Sequence, residues 1–322
     1  MNLDGMIPDI PVGEWGESIV DWLTTHGGPV FDAFKSLITT VNDALLGVLL
    51  MPQAVVMAII FALLGWLVRS PTFAVGTLLG FLLIIGMGLW LQAMQLLSLV
   101  ILATVIAVVI AIPLGILAAR NDTFSAILKP ILDFMQTMPA FVYLIPAILF
   151  FSIGEAPGLV AMIIFSLPPG VRLTELGIRH VDGEKVEAGE AFGASSLQIL
   201  RGIQLPLALP SIMAGINQVI MLGLSMAVIA GMVGADGLGK EVVAGVANVD
   251  IPRGVEGGIG VVIIAIFLDR LTGALGEPGQ HPRSLLGWWR KRRGRPVTAD
   301  SEANDSDELT EQLNRPTNAA AG

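Results

Sequence analysis

The 322 residues contain no cysteine, which excludes disulfides, thiolate catalysis and cysteine-ligated metals. Charge is scarce too. Asp, Glu, Lys and Arg make up 14% of the chain, against about 25% in soluble domains. With 54% hydrophobic residues and a mean hydropathy of +0.76, the composition is that of an integral membrane protein. There is one tyrosine, Tyr143, and the six tryptophans (Trp15, Trp22, Trp66, Trp90, Trp288 and Trp289) are dispersed. The three histidines, His26, His180 and His281, make no ligand spacing. No nucleophile–base constellation is visible, so the chain is not read as an enzyme on its own. The start, MNLDGMIPDIPVGEWGE, has neither a basic nor an apolar leader region, so the spans themselves are expected to direct insertion.

A further absence lies inside the apolar runs. The stretches 98–118, 140–152, 158–170, 211–233 and 258–268 hold no Asp, Glu, Lys, Arg or His. Proton-coupled carriers place ionisable groups there. Sodium coupling through backbone carbonyls needs none. Asp133, Glu175 and Asp269 fall near the ends of runs, where pairing with neighbours or facing water is expected rather than acid–base catalysis.

The runs are long enough to cross a membrane, which takes about 20 residues. They predict an all-α, polytopic protein with about seven transmembrane helices, near 50–68, 73–94, 97–118, 132–153, 157–176, 209–234 and 257–275. Pro113, Pro139, Pro146, Pro168 and Pro169 fall within or at the ends of these spans and are candidate bends. Before them, 1–47 is acidic, with Phe31, Phe34, Leu37, Ile38, Val41 and Leu45 at helical spacing. That pattern predicts an amphipathic helix too polar to span, lying on the membrane surface or bracing the spans.

Lys and Arg set the orientation. With 177–208 in the cytoplasm, Arg69, Arg120, Lys129, Arg172, Arg179, Lys185, Arg201, Arg270 and the basic tail all fall inside. Outside there remain Lys35, Lys240 and Arg253. The N-terminus is therefore expected outside and the C-terminus in the cytoplasm. In the tail, Trp288 and Trp289 precede Arg290, Lys291, Arg292, Arg293 and Arg295, a pattern suited to anchoring at anionic lipid headgroups. A run so short and so close to a membrane does not point to nucleic acid. Beyond Thr298 the chain is acidic and reads as disordered. The tail also suggests a response to internal salt through screening.

One polar, small-residue block interrupts the apolar chain: EAGEAFGASSLQILRGIQLP, at 187–206. A tight turn needs far fewer residues. Asp182 is placed to cap a first helix reaching Phe192. Gly193 suits the left-handed position that ends helices. Ser195 with Gln198 matches a capping box opening a second helix, and Pro206 is expected to prevent ordinary continuation. The outer surface would be Ala and Gly, which lets another backbone come close.

This block resembles the EAA loop of ABC importer permeases, in which Glu-Ala-Ala is followed by Gly and then by Ile-x-Leu-Pro. Glu187, Ala188, Gly193, Ile203, Leu205 and Pro206 stand at those places, and Gly189 stands where the family usually has Ala. That exchange is expected to loosen the first helix by about 1 kcal/mol. MQTMPAFVYLIP (135–146), LPLALPSIMAGINQ (205–218) and LGLSMAVIAGMVG (222–234) are similar to the glycine betaine/proline branch, and the resemblance spans roughly 50–275.

The resemblance implies a type I importer permease fold. Its parts would be an acidic extracytoplasmic segment (1–47), two additional N-terminal helices (48–94), a permease core (95–278) carrying the cytoplasmic loop, and a cytoplasmic tail (279–322). It implies residence in the plasma membrane of a prokaryote. The implied partners are two ABC ATPase subunits, a second copy of this permease, an extracytoplasmic solute-binding protein and membrane lipid. ATP and magnesium would sit on the ATPase, with no cofactor on this chain. Glu187, Ala188, Gly189, Gly193, Ile203, Leu205 and Pro206 would couple the loop to the ATPase.

The sequence 234–241, GADGLGKE, nearly matches a phosphate loop, but Glu241 replaces the magnesium-binding hydroxyl and the stretch follows an apolar span. It reads as a turn. Gln136, Thr137, Tyr143, Asn217, Gln218 and Ser225 are the candidates for lining a path for a neutral or zwitterionic solute. The same groups serve equally as helix–helix hydrogen bonds. A betaine headgroup is best held by stacked aromatics, and no cage is visible, so selection is expected in the separate binding protein. Two alternatives stand beside the betaine importer. One is an ion-gradient-driven carrier or channel. The other is an ABC permease for choline, proline or another amino acid.

Overall fold

The computed structural model describes residues 12–276. The expectations for the first residues, for His281, and for the aromatic, basic and acidic parts of the tail lie outside the described residues. All regular structure among the described residues is helical: α1 (Val12–Leu50), α2 (Ala54–Val68), α3 (Pro71–Gly86), α4 (Trp90–Arg120), α5 (Asp122–Thr137), α6 (Leu144–Phe151), α7 (Glu155–Arg179), α8 (Gly183–Ala191), α9 (Ser196–Ile199), α10 (Leu205–Ala230), α11 (Leu238–Ala247) and α12 (Ile251–Gly276).

Each of the seven apolar runs is helical, though not always as one straight rod. Five helical stretches are long and apolar enough to cross a membrane: Gly13–Leu50, Trp90–Arg120, Glu155–Arg179, Ser196–Val233 and Ile251–Gly276. The run at 132–153 is a sixth, broken one, in which Asp122–Thr137 and Ala140–Phe151 meet at 105°. The first two runs are the short helices α2 and α3, of 15 and 16 residues. At 1.5 Å per residue each is about 22–24 Å long, less than the roughly 30 Å of a hydrocarbon core. Ser70 caps α3 by accepting from Phe73 N at 3.2 Å, and Pro71 opens it, so the two helices form a tight hairpin. The expected span 73–94 is divided by Gly88 at φ +73°, after which α4 begins.

One expectation is corrected. The amphipathic segment is the C-terminal part of a 39-residue helix that continues through Pro29. Its most apolar window, with mean hydropathy 1.4, is apolar enough to span. The polar residues at 32–43 had masked this, because they are diluted over a helix longer than the periodic stretch. It also braces the bundle: Phe31 stacks on Phe150 at 4.8 Å, and Asn42 donates to Glu155 at 2.8 Å. Further along, α4 runs unbroken through Pro113 and α7 through Pro168 and Pro169, so these prolines do not end their helices. Pro146 lies in the first turn of α6, where its missing N–H costs no intrahelical bond. Of the five prolines, Pro139 alone coincides with a sharp break.

The centre of the bundle is α7, buried over most of its length between α4 and α10. Small residues make this possible. A Cβ added to Gly115 would lie 2.5 Å from Thr174 Cβ, and one on Gly170 would lie 2.9 Å from Ala111 Cβ. Such close backbones gain van der Waals contact in lipid, where no hydrophobic force drives helices together. The outer faces of α2 to α5 and α12 expose Leu, Ile, Val and Phe, as lipid-facing helices do.

Charge collects at the two ends. One end holds Glu155 with Asn42, Lys240 with Asp236 at 2.7 Å, and Arg253 with Glu241 at 2.6 Å. The other holds Arg69, Lys129, Glu175, Arg179 and the polar loop.

Candidate coupling loop and translocation face

The loop is built by local chemistry that its sequence states. Asp182 accepts from Glu184 N at 3.1 Å and opens α8. After α8, Gly193 adopts φ +77°, the left-handed conformation that residues with a Cβ enter at a cost. Its N–H donates to Glu190 O at 2.8 Å, and Ala194 N donates to Gly189 O at 3.1 Å, satisfying carbonyls at the helix end. Ser195 and Gln198 then form a reciprocal capping box: Gln198 Oε1 accepts from Ser195 N at 2.7 Å, and Ser195 Oγ accepts from Gln198 N at 3.4 Å.

The second arm differs from expectation. Helix does not stop before Pro206; it runs from Ser196 to Val233. The residues Leu200–Gln204 form a π-helical turn, and Leu205 N donates to Leu200 O, five residues back. This wider turn shifts the hydrogen-bond register where Pro206 brings no donor, so the proline falls in the first turn of α10 at little cost. The loop is therefore mechanically continuous with a transmembrane helix.

Gly189 also departs from expectation. A Cβ there would stand 2.8 Å from Ile203 Cδ1 and 3.4 Å from Ile199 Cγ1. The glycine lets α8 lie close against the second arm, which offsets its low helix propensity. Glu187 and Ala188 are exposed, Gly189, Ile203 and Leu205 are half-buried, and Pro206 is exposed. Ala188, Gly189, Ile203 and Pro206 line a shallow groove with Lys185, Phe192, Gly202 and Leu207. Leu205 packs inward against the cluster of Ile178, Leu200, Ala208 and Ile212. Sequence reasoning passed over Phe192, which is 92% exposed at the loop tip. The signal was there: a lone aromatic in a small, polar stretch.

The path candidates separate into groups. Gln136 and Thr137 are exposed at the end of α5, just before the bend. Tyr143 lies just after it, buried, and donates from its hydroxyl to Met135 O across the bend. On α10, Gln218 and Ser225 are seven residues apart and share an exposed face with Met221. Asn217 is turned away from that face, and its Oδ1 accepts from Thr272 Oγ1 on α12. It is a helix–helix contact, as the alternative reading allowed.

At the opposite end, residues 234–237 are a turn, and 238–241, expected to belong to it, form the first turn of α11. Gly234 and Gly237 have φ +90° and +116°, and Gly239 packs against the backbone of Ala227 and Val228. Lys240 is held by Asp236, whose hydrogen bond raises its ammonium above the usual range. Asp133 pairs with Arg172, and Asp269 lies 3.7 Å from Arg270. Among the described residues no cluster of three His, Cys, Asp or Glu side chains is placed to hold a metal.

Residues 111–276, from α4 through α12 with the whole loop, match the family described as the binding-protein-dependent transport system inner membrane component. The chain belongs to this family. The glycine betaine transport system permease protein OpuAB of Bacillus subtilis is 48% identical over 267 residues, covering 83% of this chain and 94% of that protein. The glycine betaine/proline betaine transport system permease protein ProW of Escherichia coli K12 is 46% identical over 268 residues, covering 83% and 76%. Among solved structures, the MetNI methionine ABC transporter in an inward-facing form aligns with a TM-score of 0.51 and 22% identity. That match covers 61% of this chain and 94% of the other, and it shows the fold alone. The permease thus has the type I importer fold that its loop implied, and it is a multi-pass membrane subunit of an ABC importer.

Proposed function

We propose that this permease imports glycine betaine or a related compatible solute. It would do so as one of two identical copies, each docking one ATPase subunit through residues 177–208. The solute assignment rests on the likeness to OpuAB and ProW, which cover most of the chain. The carrying structural observation is the loop: an exposed knob with Phe192 at its tip, continuous through the π-helical turn with α10. ATP and magnesium belong to the ATPase, and this chain hydrolyses nothing itself. Closure of the two ATPase subunits would press the loops together, and α7 and α10 would carry that motion into the bundle. Glu187, Ala188, Gly189, Gly193, Ile203, Leu205 and Pro206 form or support the docking surface.

The loop end faces the cytoplasm, where Arg69, Arg120, Lys129, Arg172, Arg179, Lys185, Arg201 and Arg270 gather as the positive-inside rule requires. The C-terminus follows α12 to the same side. The end bearing Glu155, Asp236 and Arg253 then faces an extracytoplasmic binding protein that selects the solute. Gln136, Thr137, Gln218 and Ser225 offer polar groups to a passing zwitterion. The relatives' names extend to carnitine, which the Listeria monocytogenes protein GbuB (46% identical) transports with glycine betaine, so the related solutes include it.

Uptake of labelled glycine betaine by vesicles holding the permease, its ATPase and its binding protein tests this reading. Uptake that needs internal ATP supports it. Uptake driven by an ion gradient without ATP contradicts it.

A further inference from the structure

At the base of the loop, one buried carboxylate gathers three helices. Glu175, in the last turns of α7, has a side chain 7% exposed. It accepts from Ser125 Oγ at 2.7 Å and from Arg179 Nε at 2.9 Å, with Lys129 Nζ at 3.7 Å. Arg179 reaches further. It donates to Ala118 O at 2.8 Å, in the last turn of α4, and pairs with Asp122 at 2.7 Å, in the first turn of α5. Three residues after Arg179, Asp182 caps the loop's first helix. The pair therefore sits where the loop's first arm enters the bundle, and it grips α5 by its starting end.

The other end of α5 is the 105° bend, with Gln136 and Thr137 before it and Tyr143 after it. A 16-residue helix about 24 Å long joins the two places. Elsewhere α5 meets α7 through a small apolar contact of Leu132 with Leu167 and Val171, and through the exposed Asp133–Arg172 pair. The Glu175 carboxylate itself is desolvated, so drawing Ser125 and Arg179 away from it would leave a buried charge without partners, a cost that these other contacts do not carry.

We propose that Glu175 and Arg179 are positioning residues that make α5 follow the loop, so that ATPase closure moves the bend beside the solute path. Without them, loop motion would pass to α7 and α10 and leave α5 behind. The proposal rests on reading 177–208 as the ATPase-docking loop.

The test uses the full complex of permease, ATPase and binding protein in liposomes. Solute taken up is divided by ATP hydrolysed, for wild type, Glu175→Gln, Glu175→Ala and Ser125→Ala. The expected result is ATPase retained in wild-type amount and uptake per ATP lowered about fivefold or more in Glu175→Ala, with Glu175→Gln intermediate. Uptake per ATP equal to wild type overturns the proposal. So does a proportional fall of uptake and hydrolysis, which marks a merely structural role. If Glu175→Ala does not accumulate, Ser125→Ala decides by the same ratio, since it removes one neutral donor and leaves the ion pair. Failure of the wild-type chain to bind an ATPase would instead sink the docking reading, and this proposal with it.

Discussion

At the scale of single residues, the loop is governed by two glycines with different duties. Gly193 is needed for its backbone, since a β-branched residue at φ +77° costs of the order of 1–2 kcal/mol. Gly193→Val is expected to cut ATP-driven uptake about tenfold or more while the chain still reaches the membrane, as quantified by immunoblot and vesicle transport. Gly189 is needed for its size. The atom that a new Cβ would meet is the far methyl of Ile203, which can move. Gly189→Ala should keep uptake within about twofold, because helix propensity gained offsets the push on Ile203, whereas Gly189→Leu should uncouple transport. Asp182, Ser195, Gln198 and Gly193 were legible as caps and helix end, because capping is local and needs no knowledge of the rest of the fold. The role of Gly189 was not, because the residue it makes room for lies 14 positions away on another helix. Asn217 and Gln218 are adjacent in sequence and face different neighbours for the same reason. Asn217→Ala should destabilise the solubilised permease by about 0.6–2 kcal/mol, read as a lowered Tm, with the KM for solute unchanged. Gln218→Ala should instead change transport and leave the Tm in place.

At the scale of elements, the apolar runs announced the helices, and prolines were poor guides to where they bend. Pro168 and Pro169 sit inside an unbroken, buried α7, next to the tight contact of Gly170 with Ala111. Pro139 sits at a 105° break. The residue is the same, and the outcome is set by whether neighbouring helices hold the segment in line. Pro206 is a third case, absorbed by the π-helical turn at Leu200–Gln204. That turn joins loop to span, so Pro206→Ala should leave the fold intact, because α10 gains a donor. It should lower uptake per ATP if the altered register matters for coupling, as ATPase and uptake assays on one preparation would show. The long α1 was hidden because its polar residues argued against a span when only 31–45 was read as helix.

At the scale of the whole molecule, the absence of cysteine makes topology directly measurable, since single cysteines can be introduced with no background. Lys240→Cys should react with a membrane-impermeant maleimide added outside intact cells, and Gly183→Cys only after the membrane is opened. The reverse pattern would invert the orientation. The bundle then has a rigid centre of α4, α7 and α10, closely packed through small residues. Both arms of the loop emerge from two of these three helices. That arrangement suits a subunit moved from the loop end by something else.

The most direct test of that claim is purification of the tagged permease from its native membrane in mild detergent, with identification of what stays bound. The account predicts a stoichiometric ABC ATPase that is lost when Phe192→Ala removes the exposed ring at the loop tip, while the permease itself remains folded. A permease that purifies alone, and transports solute in vesicles on an ion gradient without ATP, would contradict it.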